Sequence, residues 1–200
     1  MSRKKKISLV VSLVLIAAIG IGATLAYLTA NTGTLTNKFT VGPTEIEAEI
    51  LETDLDGEGF TDIGNDYELL PGEDAVKDPF VRITSDFSTY VFVRVTGLDV
   101  LAGKITADIP ANGWVRVGGA DGETIDGVYR APGVFPAGEN VDTPRLFTTV
   151  TLATSAVGTT TLEDIVLTGY AIQAEHLAET PDASIAVADA QALAKFGIAP

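Results

Sequence analysis

Apolar and acidic positions alternate strictly from residue 45 to residue 50. Ile46, Ala48 and Ile50 fall on one side of a two-residue period, and Glu45, Glu47 and Glu49 on the other. Such alternation marks a strand with one buried and one wet face, and Phe39 and Val41 extend the strand candidate to Lys38–Leu51. Two denser apolar runs follow, Pro79–Thr84 and Ser88–Thr96, separated by the turn-like Ser85-Asp86-Phe87-Ser88. They are predicted to pair as a hairpin or to cross between sheets. Further strand candidates are Trp114–Val117, Gly127–Ala131, Arg145–Thr154 and Thr161–Ala174, divided by clusters of Gly, Pro, Asn and Asp. Near the end the period changes: Ile185, Ala188, Ala192 and Phe196, with Leu193 beside them, recur at helical spacing between Asp182, the expected N-cap, and Gly197. Roughly seven or eight short strands and one helix predict an all-β protein, an antiparallel jelly-roll-like β-sandwich with one helix in its C-terminal region.

The N-terminus has another pattern. Arg3, Lys4, Lys5 and Lys6 precede an uncharged run from Ile7 to Ala26, the charged and apolar regions of a secretory signal. The run also approaches the ~20 residues that span a bilayer, which keeps an uncleaved anchor as the alternative. Thr24-Leu25-Ala26 resembles a small-residue cleavage site and favours a cut between Ala26 and Tyr27. Cleavage removes four of the 13 Lys and Arg, leaving nine against 27 Asp and Glu, a formal charge of −18. A surface so acidic repels nucleic acid and anionic lipid, so no nucleic-acid partner is expected, and membrane contact only through the signal before cleavage. The chain has no cysteine, which excludes disulfides, thiolate nucleophiles and thiolate metal sites.

Three stretches, taken in order, resemble the TasA/camelysin family. Gly22-Ala23-Thr24-Leu25-Ala26-Tyr27-Leu28-Thr29-Ala30 leads into Leu35-Thr36-Asn37-Lys38-Phe39-Thr40-Val41-Gly42. Leu70-Pro71-Gly72-Glu73, Lys77-Asp78-Pro79 and Tyr90-Val91-Phe92-Val93-Arg94-Val95 come next, and Tyr170-Ala171-Ile172-Gln173-Ala174-Glu175 precedes the Ala-rich helix. The likeness covers nearly the whole chain except Leu98–Arg145. It implies export through a signal peptidase of the SipW type, a location in the extracellular matrix or at the cell surface, and self-assembly into biofilm-matrix fibres. It also implies that a mature N-terminal segment leaves its own domain to add a strand to the next subunit, a form of β-augmentation. The implied organisation is a signal peptide at 1–26, a donor-strand segment at 27–39 and a β-sandwich domain at 40–200. Leu28, Leu35, Asn37 and Phe39 are the assembly residues; Leu35, Asn37 and Phe39 share one face by the two-residue period. An ordinary first strand or a frayed terminus are the other readings of this segment.

Some members of that family are named as metallopeptidases, yet zinc proteases need several converging ligands and a general base. This chain has one histidine, His176, beside Glu175, expected to be a surface or edge residue. No G-x-S-x-G elbow occurs, and no enzymatic activity or required cofactor is expected. The most suggestive site is Asp54-Leu55-Asp56-Gly57-Glu58-Gly59-Phe60-Thr61-Asp62, which imitates the start of a calcium loop. Asp54, Asp56, Glu58 and Asp62 would be its ligands, but Asn65 stands where the loop needs a closing Glu, so an acidic hairpin loop competes with a weak calcium site. Trp114, Tyr90, Phe92, Tyr129, Phe135, Phe147 and Tyr170 are read as core rather than as a sugar-stacking face. A fibre subunit is thus the leading expectation, with a monomeric surface-binding module second and a peptidase third.

Overall fold

A computed structural model describes residues 46–156 and 162–199, all within the unit Pro43–Pro200. The signal and donor-segment expectations lie outside the described residues. The strands are β1 (Ile46–Thr53), β2 (Phe60–Thr61), β3 (Asp74–Val76), β4 (Phe80–Ser85), β5 (Thr89–Thr96), β6 (Ile105–Ala107), β7 (Val115–Gly118), β8 (Gly127–Arg130), β9 (Gly138–Asp142), β10 (Thr149–Leu152) and β11 (Val166–Gln173). The helix α1 spans Pro181–Lys195. Every strand pairing among the described residues is antiparallel. One sheet has the order β2-β1-β4-β9, a second β11-β5-β8-β7, and a small third β3-β10-β6. Over the described residues the class is therefore all-β with one α-helix, as the patterning predicts.

Alternation along β5 explains the layering. Val91, Val93 and Val95 join Val81 and Ile83 of β4 in one core with Trp114, Tyr129, Phe147, Val150 and Leu152. The intervening Tyr90 and Phe92 point the other way, into a second core with Val128, Ala188, Ala192, Leu193 and Ile198. β5 thus has apolar neighbours on both faces, and it reads as a continuous apolar run for that reason. Complete burial of Phe92 contributes on the order of 2–3 kcal/mol.

Of the two alternatives for the runs on either side of Ser85–Ser88, the structure has the crossing between sheets and not the hairpin: β4 pairs with β1 and β9, β5 with β8 and β11. Other expectations need correcting. Thr180, not Asp182, caps α1. Its hydroxyl accepts from the Ala183 N–H at 3.3 Å, and Pro181 follows at the first helical position, where a missing N–H costs nothing. Trp114 precedes β7 instead of starting it, and its indole N–H donates to the Pro144 carbonyl at 3.1 Å. Only Thr149–Leu152 of Arg145–Thr154 is strand. The aromatics expected in the core are buried, Tyr170 partly so.

Candidate functional site

Glu52 is the residue around which the polar chemistry gathers. It has the parity of Ile46, Ala48 and Ile50 instead of that of the outward Glu47 and Glu49, and its side chain is only 6% exposed. A carboxylate buried this way needs partners. Its Oε2 accepts from Lys77 Nζ at 2.8 Å. Its Oε1 accepts from Asn65 Nδ2 at 2.8 Å and from the Asn65 backbone N–H at 3.0 Å. Asn65 Nδ2 also donates to the Thr53 carbonyl at 2.9 Å, while its Oδ1 accepts from the Leu55 N–H at 2.9 Å. Tyr67 closes the pocket: Lys77 Nζ sits 5.1 Å over its ring, and its hydroxyl is buried with no hydrogen-bond partner. Burial, followed by the Glu52 charge, pushes the Tyr67 phenol up to about 12. Asp78, next along the chain, accepts from the Thr53 backbone N–H and hydroxyl, each at 2.9 Å, and from Arg145 Nε at 3.3 Å.

Above this pocket lies the acidic loop between β1 and β2. Asp54 Oδ1 accepts from the N–H groups of Asp56 and Gly57, both at 3.0 Å, an Asx turn that binds the carboxylate to its own backbone. A Cβ at Gly57 would meet Asp54 Oδ2 at 2.4 Å, so a larger residue there would push that carboxylate aside. Asp56, Glu58 and Asp62 are exposed. Asn65, at the position of the closing ligand, is occupied with Glu52 and the loop backbone. Among the described residues no three His, Asp or Glu side chains gather in metal-holding geometry. His176 is exposed, in a left-handed backbone conformation (φ 60°) after β11.

Two strand edges make the other notable feature. Over Ile46–Leu51 the strand partner of β1 among the described residues is β4 alone, and β11 has only β5. These two edges lie beside each other: a Cβ at Gly169 of β11 would come within 3.3 Å of Ile50. Ile46, Ile50, Leu167 and Ala171 pack only partly buried against the main core, and Ala48 and Gly169, of the same parity, are exposed. The inward faces of both edge strands are thus incompletely covered.

At the far end of the second sheet, two aspartates exchange backbone contacts. Asp99 accepts from the Thr124 hydroxyl and from the N–H groups of Thr124, Ile125 and Asp126. The Thr124 hydroxyl above all, with those amides, draws its carboxyl down to about 2. Buried Asp126 accepts in return from the N–H groups of Gly97 and Leu98 at 3.0 and 2.8 Å.

Ala26, Tyr27, Leu28, Leu35, Asn37 and Phe39 lie outside the described residues. Of the predicted calcium ligands, the structure ties Asp54 to its own loop and leaves Asp56, Glu58 and Asp62 in solvent. The Glu52–Asn65–Lys77 cluster is absent from the expectations, although the parity of Glu52 marks it. Comparison with family models, curated proteins and solved structures gives no match.

Proposed function

We propose that the chain is a secreted, non-enzymatic structural protein whose copies join head to tail into extracellular fibres of the biofilm-matrix kind. The domain acts as a jelly-roll-like acceptor, and residues 27–39 of one copy add a strand to the next. The observation that carries this reading is the pair of neighbouring edges, β1 and β11, with half-covered apolar side chains and exposed Ala48 and Gly169 between them. An open edge beside an apolar cleft favours another strand, because main-chain hydrogen bonds and buried side chains are gained together. Residues 27–37 carry no charge, so a strand made from them can be buried without stranding an ion. A contact of this kind does not close on itself and generates an open filament.

Electron microscopy of protein starting at Tyr27 tests the proposal. Filaments are expected from that protein and not from one lacking Tyr27–Thr36, and Leu35→Asp is expected to weaken assembly more than Thr34→Asp. Filaments of unchanged repeat from the deletion variant would remove the mechanism. A mature protein that stays monomeric at high concentration would favour the surface-binding module instead.

A further inference from the structure

The Glu52 pocket resembles a reaction centre more closely than a simple ion pair. An amine, a carboxamide and a carboxylate meet there, and each is held by a specific contact. The two oxygens of one carboxylate bind Lys77 Nζ and Asn65 Nδ2, each at 2.8 Å, which gathers the amine and the carboxamide on a single proton acceptor. The carbonyl oxygen of the same amide accepts the Leu55 backbone N–H at 2.9 Å, where a donor would stabilise negative charge on that oxygen. The pocket is shielded: the side chains of Lys77 and Glu52 are 11% and 6% exposed, and the Tyr67 ring lies against the ammonium. Fixed neighbours in a dry site are the conditions under which a slow acyl transfer becomes effectively intramolecular.

We propose that Lys77 and Asn65 form an intramolecular isopeptide cross-link, with Glu52 as its proton-transfer residue. Glu52 accepts a proton from Lys77, and the freed Nζ lone pair attacks Asn65 Cγ. The C–N bond forms, and the electron pair of the carbonyl moves onto Oδ1 against the Leu55 N–H. Collapse of this adduct breaks the Cγ–Nδ2 bond. Glu52 returns its proton to Nδ2 and then relays the second Nζ proton to the same nitrogen, which leaves as ammonium, so that Glu52 ends as the carboxylate it began as. The products are one secondary amide and one ammonium ion, a net loss of ammonia from the neutral chain, with no oxidant, metal or nucleotide consumed. The link closes the chain from Asn65 to Lys77 and fastens β3 to the loop ahead of it.

Mass spectrometry of tryptic peptides from the folded full chain provides the test. Trypsin does not cut at an amidated lysine, so the expected product is a single peptide, Phe39–Arg82, uncut at Lys77 and lighter than its sequence by one ammonia. Lys77→Arg keeps a cation beside Glu52 but is expected to give full mass, as is Glu52→Gln, which keeps the shape and loses the proton acceptor. Circular dichroism verifies that both variants fold. Cutting at Lys77 with full mass in folded wild-type protein after prolonged incubation would overturn the proposal. Loss of ammonia with Lys77 still cut would place the change within Asn65 alone and would overturn it equally.

Discussion

A single carboxylate shows how much position in a strand decides. Glu47 and Glu49 face water, while Glu52, three residues beyond Glu49, faces inward and must recruit Lys77 and Asn65. Asp126 is in the same situation, buried and accepting two backbone N–H groups. Asp126→Ala leaves those two amides unpaired and is expected to cost about 2–3 kcal/mol in urea unfolding. Asp99 supplies a pH signature. Its folded carboxyl lies at about 2, below the roughly 3.9 of an unfolded aspartate. The sign follows by linkage: the stabilisation is complete above the unfolded value and is lost as pH falls through the interval down to about 2. Asp99→Asn is therefore expected to lower the melting temperature at pH 7 and to have much less effect near pH 2, a difference thermal scans at the two pH values would reveal.

Elements were legible in proportion to how far their own residues determine them. β5 announces itself because both its faces are buried, and α1 because its apolar positions keep one helical face. The strands β3 and β6 have three residues each and no pattern of their own; they exist because β10 lies between them and pairs with both. β9 reads as Gly-Glu-Asn-Val-Asp, a turn-like string held as a strand by its ladder to β4 and by the Arg82–Asp142 ion pair at 2.8 Å. The cap of α1 was misplaced by two residues because Thr180 and Asp182 are both good caps, and Pro181 decides between them. Thr180→Ala is expected to cost about 1 kcal/mol, and Phe92→Ala, which empties the seam between β5 and α1, about 3–5 kcal/mol, both measurable by denaturant melts. The acidic loop between β1 and β2 is expected to bind calcium at millimolar levels or not at all, because Asp54 already serves its own turn. Calorimetry on wild type and Asp56→Asn checks this; sub-micromolar binding abolished by the substitution would refute it.

For the whole molecule, charge would set the conditions of the proposed assembly. Protein starting at Tyr27 keeps nine Lys and Arg against 27 Asp and Glu, a formal charge of −18, so its copies repel one another at low ionic strength, and screening shortens that repulsion to about 8 Å at physiological salt. Filament growth, followed by light scattering, is expected to accelerate as salt rises from the millimolar range. The neighbouring edges of β1 and β11 were not legible in the sequence, since an open edge is a property of the folded sheet and leaves no local pattern in either of the strands that form it.

β5 also has a consequence for the order in which the molecule comes apart. Thr89–Thr96 pair with β11 along their whole length and Phe92–Val95 also with β8, while Val91, Val93 and Val95 enter one core and Tyr90 and Phe92 another. No local opening frees it: lifting α1 exposes only its outer face, and parting the two large sheets only its inner one. Its amide protons should therefore exchange with deuterium last, only on complete unfolding, while those of α1 exchange earlier through partial opening. The strand is the last part of the domain to be released, and any force or heat that spares it leaves a chain able to close again around it.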